Sequence, residues 1–208
     1  MPENDFIFSK AVVTKFSHDL AGVISAISNS LSLLDELGGA DPETLKLAEE
    51  NANILMGRLR FFRAAFGNEG PLTNISETQR IFENYLTTLE NRAVHYACEW
   101  QTDQELPIFV FRMILLAGLI GAESLPRGGR ITVQAQAGSR KISVFAEGKS
   151  AVLDPLTQSV LEKHELDQSS SPKAVAAVFL YHCLNEQGWQ ISLFCRDEKI
   201  IIELGEKR

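Results

Sequence analysis

Apolar positions in the first third of the chain recur at helical spacing. Between Phe6 and Leu37, Val13, Phe16, Leu20, Val23, Ile27, Leu31 and Leu34 follow one another at steps of three and four, the signature of a long amphipathic helix. Gly38 and Gly39 stop it, as glycine does at helix C-termini. Asp41 then caps a second helix, with Pro42 at its first position and Glu43 in its first turn. Here the repeat is cleaner. Leu45, Ala48, Ala52, Leu55, Leu59, Phe62 and Phe66 alternate steps of three and four until Gly67, a heptad a/d pattern. Two such helices joined by a short turn lie antiparallel. A lone hairpin leaves half of each apolar stripe wet. A second copy would cover both stripes and complete a four-helix bundle, so residues 6–66 are expected to form a homodimer. Coverage by the rest of the chain is the alternative.

Residues 67–74, GNEGPLTN, are rich in turn formers and mark a boundary between a unit at 1–67 and another at 75–208. Beyond it the pattern predicts a helix over 76–91, a strand over 94–100 and a helix over 107–123. Alternating strands follow at 130–137 and 141–146, joined at Gly138 and Ser139. Helices are predicted over 154–163 and 172–187, and a closing strand pair over 189–195 and 199–204. Mixed helices and largely antiparallel strands make the fold class α+β: an N-terminal helical hairpin and a C-terminal α/β sandwich.

Composition narrows the function. The chain has 208 residues, 45% hydrophobic and 23% charged, with mean hydropathy near zero at −0.03. These values exclude a disordered or fibrous chain. A net charge of −7 and a pI near 5.2 argue against a sequence-unspecific nucleic-acid binder and against a polybasic membrane anchor. The longest apolar run, Leu106 to Ala122, holds Arg112 and is short for a membrane span, so it reads as a buried helix. Cys98, Cys183 and Cys195 are far apart with no C-x-x-C, which leaves little support for a zinc site or disulfide framework. The first ten residues lack a basic and apolar leader, and the expected location is the cytoplasm.

His18 is the residue with candidate chemistry. If Leu20 faces the core, His18 lies ~200° around the helix from it, in solvent. Gly22, Ser25 and Asn29 continue its stripe at helical spacing. A glycine inside a helix costs about 1 kcal/mol relative to alanine, and beside an exposed imidazole it leaves room for another molecule. Asp19 adds negative charge near the ring. A neutral imidazole is a nucleophile near pH 7 and can take up and pass on a phosphoryl group. An exposed histidine is also most often an ordinary surface residue, and spacing does not choose between the two. On the second helix, the level of His18 falls near Phe61 to Arg63. Arg60 or Arg63 would there favour an acidic partner, unless they only solvate that face. Of Val23 and Ile24, at least one is expected in the bundle core. His95, His164 and His182 show no metal-ligand spacing, and His182-Cys183 reads as helix packing. Ser169 to Ser171 read as a loop and helix cap, and RGGR at 127–130 as a turn.

FSHDLAGVISAISNSLSLL at 16–34 resembles the phosphoacceptor box of two-component dimerisation and histidine-phosphotransfer domains. It is most similar to the alphaproteobacterial ChpT-type histidine phosphotransferases. RLRFFRAAFG at 58–67 and LPRGGRITV at 125–133 also look like that family, in the same order along nearly the whole chain. The resemblance implies that His18 is the phosphorylated residue and Asp19 its orienting neighbour. It also implies that the second unit derives from the ATP-binding (Bergerat) domain of histidine kinases. Against that pattern, Phe111 to Gly129 contain no magnesium-holding Asn. Ala146 stands where an adenine-reading Asp belongs, and Ser150 replaces the second Gly of that motif. SSSPKAVAAV at 169–178 has no lid glycine. Backbone N–H groups cannot cradle a triphosphate through bulky residues.

The expectation is therefore a homodimeric histidine phosphotransferase with a degenerate ATPase-like domain. It would relay a phosphoryl group through His18 between receiver-domain aspartates, from a hybrid kinase to response regulators. It would bind neither ATP nor a metal of its own, magnesium coming from the receiver. The rivals are a non-catalytic interaction module and a divergent active kinase.

Overall fold

Helix α1 spans Glu3–Glu36 and α2 spans Pro42–Phe66 in a computed structural model that describes residues 3–39, 41–67, 72, 74–102, 106–135, 140–163 and 171–207. The Gly138–Ser139 turn, His164, Ser169 and most of the 67–74 linker lie outside those residues. After α1, Gly39 donates its N–H to the Leu34 carbonyl at 2.7 Å, which ends the helix. Asp41 opens α2 by accepting the Thr44 N–H at 2.8 Å. Phe16 stacks on Phe62 with centroids 4.7 Å apart, and Arg58 reaches the Asp19 carbonyl. Later residues of α1 thus meet earlier residues of α2, so the two run antiparallel.

The remaining elements follow in order. They are α3 (Ile75–Thr87), β1 (His95–Thr102), α4 (Ile108–Glu123), β2 (Gly128–Ala135), β3 (Lys141–Glu147), α5 (Pro155–Lys163), a 3-10 turn at Pro172–Ala174, α6 (Val175–Glu186), β4 (Trp189–Arg196) and β5 (Lys199–Glu206). They form one sheet in the order β1-β2-β3-β5-β4. β1 and β2 are parallel, with α4 as their crossover, and every other pair is antiparallel. In the middle, Val144 sits opposite Val133 on one side and Ile202 on the other. The fold is mixed α+β, as the element pattern predicts. Several ends differ by a few residues from the sequence reading, and two of the differences have a visible cause. α3 stops at Thr87, because the Thr88 hydroxyl turns back to donate to the Tyr85 carbonyl at 2.7 Å. The helix expected from residue 172 begins as a 3-10 turn, with the Ser171 side chain capping Lys173.

α4 is the hub. Its side chains are buried from Val110 to Ala122 except at Arg112, because α2, α3, α6, β2 and β3 all pack on it. An all-round apolar helix has to be enclosed in this way. Arg112 donates from Nη2 to the Gly67 carbonyl at 2.6 Å, at the C-terminal end of α2, where a cation also meets the helix dipole. The core is continuous from Phe61, Phe62, Ala64 and Ala65 of α2 through α3 and α4 to the sheet. Gly128 and Gly129 take positive φ values of 74° and 152°. A Cβ there would lie 2.2 Å from the His95 carbonyl oxygen and 2.3 Å from that of Glu147. RGGR is thus the turn that feeds β2 into the sheet.

The apolar repeat of the first two helices is only partly covered. Val23 is buried, whereas Ile24, Val13 and Leu31 on α1 and Leu45 and Leu59 on α2 are exposed. His182 is exposed, contrary to the packing role read from sequence, and of that pair only Cys183 packs against the core. α6 has one face on α4, and residue 182 falls outside it.

Gly118 is required by space. A Cβ there would lie 2.6 Å from the ring of Phe82, which is fully buried. Gly118→Ala is therefore expected to lower stability by about 1–3 kcal/mol, as overpacking does. Urea unfolding checks this, with the far-ultraviolet circular dichroism of the folded chain unchanged.

Candidate functional site

The phase of α1 sets the site. Lys15 and Val23 turn inward and Phe16 and Leu20 are half-buried, so His18 is left on the outer side with 88% of its side chain exposed. Gly22, Ser25 and Asn29 are exposed along the same helix, and a Cβ on Gly22 would meet nothing within 4 Å. The imidazole stands in a clear lane midway along a helix.

His18 Nδ1 lies 3.3 Å from Asp19 Oδ1. The other Asp19 oxygen lies 3.4 Å from Lys15 Nζ, one helical turn back. Lys15 is buried, and its ammonium also pairs with Glu123 at the last residue of α4. Four side chains thus run in series, His18 to Asp19 to Lys15 to Glu123, from open solvent to the hub helix. Arg58 braces the same point from α2. It donates to the Asp19 main-chain carbonyl, and from Nη2 to the Thr88 carbonyl at 3.0 Å. One guanidinium therefore ties α1 to the end of α3.

Two clefts flank this series. The larger, about 680 Å³, lies between Lys15, His18 and Asp19 on one side and Glu123, Asp154 and Lys173 on the other. The smaller, about 400 Å³, lies between Arg58, Tyr85, Tyr96 and Glu123. Solvent entering them reaches about a third of the Glu123 side chain (35%), although protein surrounds the carboxylate on most sides. That burial pushes the Glu123 carboxyl above its usual range, against the pull of Lys15. Burial pulls Lys15 down, but Glu123 and Asp19 together outweigh it and hold the ammonium above its usual range. For Lys15 the sign follows. Its contribution to stability is full below the ordinary lysine value and is lost as pH rises through the raised one. Burial lifts the Tyr85 phenol well above its usual range and pushes the Cys98 thiol to about 12, so Cys98 is no thiolate nucleophile at neutral pH.

The site holds His18, Asp19, Gly22, Ser25 and Asn29 on one helix. At its level on α2 the structure brings the span from Arg58 to Phe62, which begins three residues and ends one residue nearer the turn than the sequence reading placed it. Arg60 falls within that span and Arg63 just past it, both exposed. Sequence reasoning missed Lys15, Arg58 and Glu123. The spacing of Lys15 to Asp19 was the only local signal. Glu123 is distant in sequence, and Arg58 does not stand out from its basic neighbours. Among the described residues no cluster of three His, Cys, Asp or Glu could hold a metal, and no helix is long and apolar enough to cross a membrane.

Residues 75–199 match the family described as the histidine phosphotransferase C-terminal domain, and the chain belongs to that family. Protein phosphotransferase ChpT of Brucella abortus (strain 2308) is 27% identical over 197 aligned positions, and the match covers 90% of this chain and 90% of its own. The solved structure of a bacterial phosphotransferase shares the fold, with a TM-score of 0.75 over 98% of this chain and 97% of its own at 22% identity.

Removing Arg58 leaves the carbonyls of Asp19 and Thr88 without this donor. Arg58→Met is expected to cost about 1–3 kcal/mol. It is also expected to speed amide hydrogen exchange around Asp19 and Thr88 more than in the sheet, which exchange followed by mass spectrometry reads directly.

Proposed function

We propose that this chain is a phosphorelay histidine phosphotransferase in which His18 takes a phosphoryl group from the aspartyl phosphate of a hybrid kinase's receiver domain. It then passes the group to the aspartate of a response regulator. The observation that carries the reading is His18 itself, exposed mid-helix, with Nδ1 engaged by Asp19 and Nε2 left for an incoming phosphorus. Such transfer needs an accessible nitrogen and a flat docking surface more than a pocket. Gly22, Ser25 and Asn29 supply a lane of small side chains for that docking, and Arg60 and Arg63 supply cationic charge toward an acidic receiver. Family membership and the likeness to ChpT support a receiver as the partner.

In this reading the second half carries no ATP chemistry, and magnesium belongs to the receiver. The side chain of Ala146 is buried with its Cβ against Gly121, at 3.3 Å from where a Cβ of residue 121 would lie. Ala146 offers no carboxylate there to read an adenine, which supports the reading. The helices α1 and α2 form the bundle half of a homodimer. Support comes from Ile24, Leu31, Leu45 and Leu59, apolar side chains that one copy leaves in water.

Incubation with a phosphorylated receiver is expected to place acid-labile phosphate on the wild type and none on His18→Gln, with no label from ATP alone. Label from ATP would overturn the reading in favour of an active kinase. Label-free His18 with every receiver tried, despite receiver binding, would favour an interaction module. Light scattering is expected to give twice the 23.1 kDa chain mass. Leu45→Glu with Leu59→Glu, two heptads apart on one face of α2, is expected to give the monomer mass.

A further inference from the structure

We propose that Glu123 is a positioning residue for His18, acting from α4 through Lys15 and Asp19. The inference rests on the reading of His18 as the phosphoryl acceptor.

Lys15 is shared between two carboxylates. If it had only Asp19, its ammonium would cancel the charge that faces the imidazole. The ammonium instead lies closer to Glu123 than to Asp19, whose Oδ2 is 3.4 Å away. Asp19 keeps Oδ1 for His18 Nδ1. Within this series one cation stands between two anions, so the Asp19 charge beside the ring is not cancelled by Lys15.

That charge is placed where transfer needs it. As Nε2 bonds to phosphorus, the phosphorus–oxygen bond of the acyl phosphate breaks. The receiver carboxylate departs with the electron pair. The imidazole keeps its Nδ1 proton and becomes cationic, and the return transfer reverses each change. A fixed negative charge at Nδ1 stabilises the cationic ring and holds its orientation in both directions. Other groups facing the series are accounted for. Arg58 on α2 donates to main-chain carbonyls and keeps its positive charge, which is the same in every variant below and so leaves their difference unchanged. Tyr85 on α3 keeps its proton, and Tyr96 on β1 likewise titrates above its usual range. Across the larger cleft, Asp154 and Lys173 pair with each other at 3.4 Å and add little net charge.

The test is a nuclear magnetic resonance titration of the His18 ring in the full chain, beside the pH profile of label taken from a phosphorylated receiver. Glu123→Gln returns Lys15 to Asp19 alone, so the ring is expected to titrate about half a pH unit lower, and the pH profile to move with it. Lys15→Met combined with Glu123→Gln frees Asp19 without burying a lone charge, so the ring is expected to titrate higher by a similar amount. A merely loosened fold would move both variants the same way. Shifts in one direction, or none, while label still requires His18, would overturn this proposal alone. Persistence of label in His18→Gln would overturn the acceptor reading and this proposal with it.

Discussion

A helix without polar side chains along its middle has to be enclosed on every side, and α4 imposes that demand on the whole chain. The sheet covers one side of it, and α2, α3 and α6 cover the others. Its close approach to α3 is possible only because residue 118 lacks a side chain. The end of α2 reaches it through Phe61 and Phe62, which carries the first two helices into the same core as the sheet. α4 ends in Glu123, its first acidic residue. That end is where the series of charges leading to His18 begins.

The site therefore combines two opposed requirements. In the proposed relay the imidazole has to stand in solvent, yet a side chain in solvent loses its orientation to rotamer entropy. Asp19 resolves the conflict by holding Nδ1, and Asp19 is itself held twice. Lys15 contacts its carboxylate, and Arg58 contacts its carbonyl. Order is thus transmitted outward from buried groups to an exposed one, with each partner less exposed than the one it supports as far as Lys15.

Most of the fold was legible in the sequence because its elements are strongly periodic and punctuated. Asp41-Pro42 and Gly38-Gly39 fixed the ends of the first two helices, and alternation in Ile131 to Ala135 and Ile142 to Ala146 gave the central strands. The end of α3 was less legible, since it depends on a threonine hydroxyl folding back on the helix. His18 and its stripe were readable from helical phase. Glu123 and Arg58 were not, because their contacts join residues 108 and 39 positions apart. No local pattern encodes such a pairing.

The core that passes without interruption from Phe61 and Phe62 to α4 also bears on how this architecture can be inherited. A linker rich in glycine and proline invites shuffling, in which one half is exchanged for another while each folds alone. Here a cut at residues 67–74 would strip Phe61, Ala64 and Ala65 of their cover, and would take from Arg112 the Gly67 carbonyl that it caps. The two halves are packed as one unit. A recombinant that swaps either one has to bring matching partners for α2 with it.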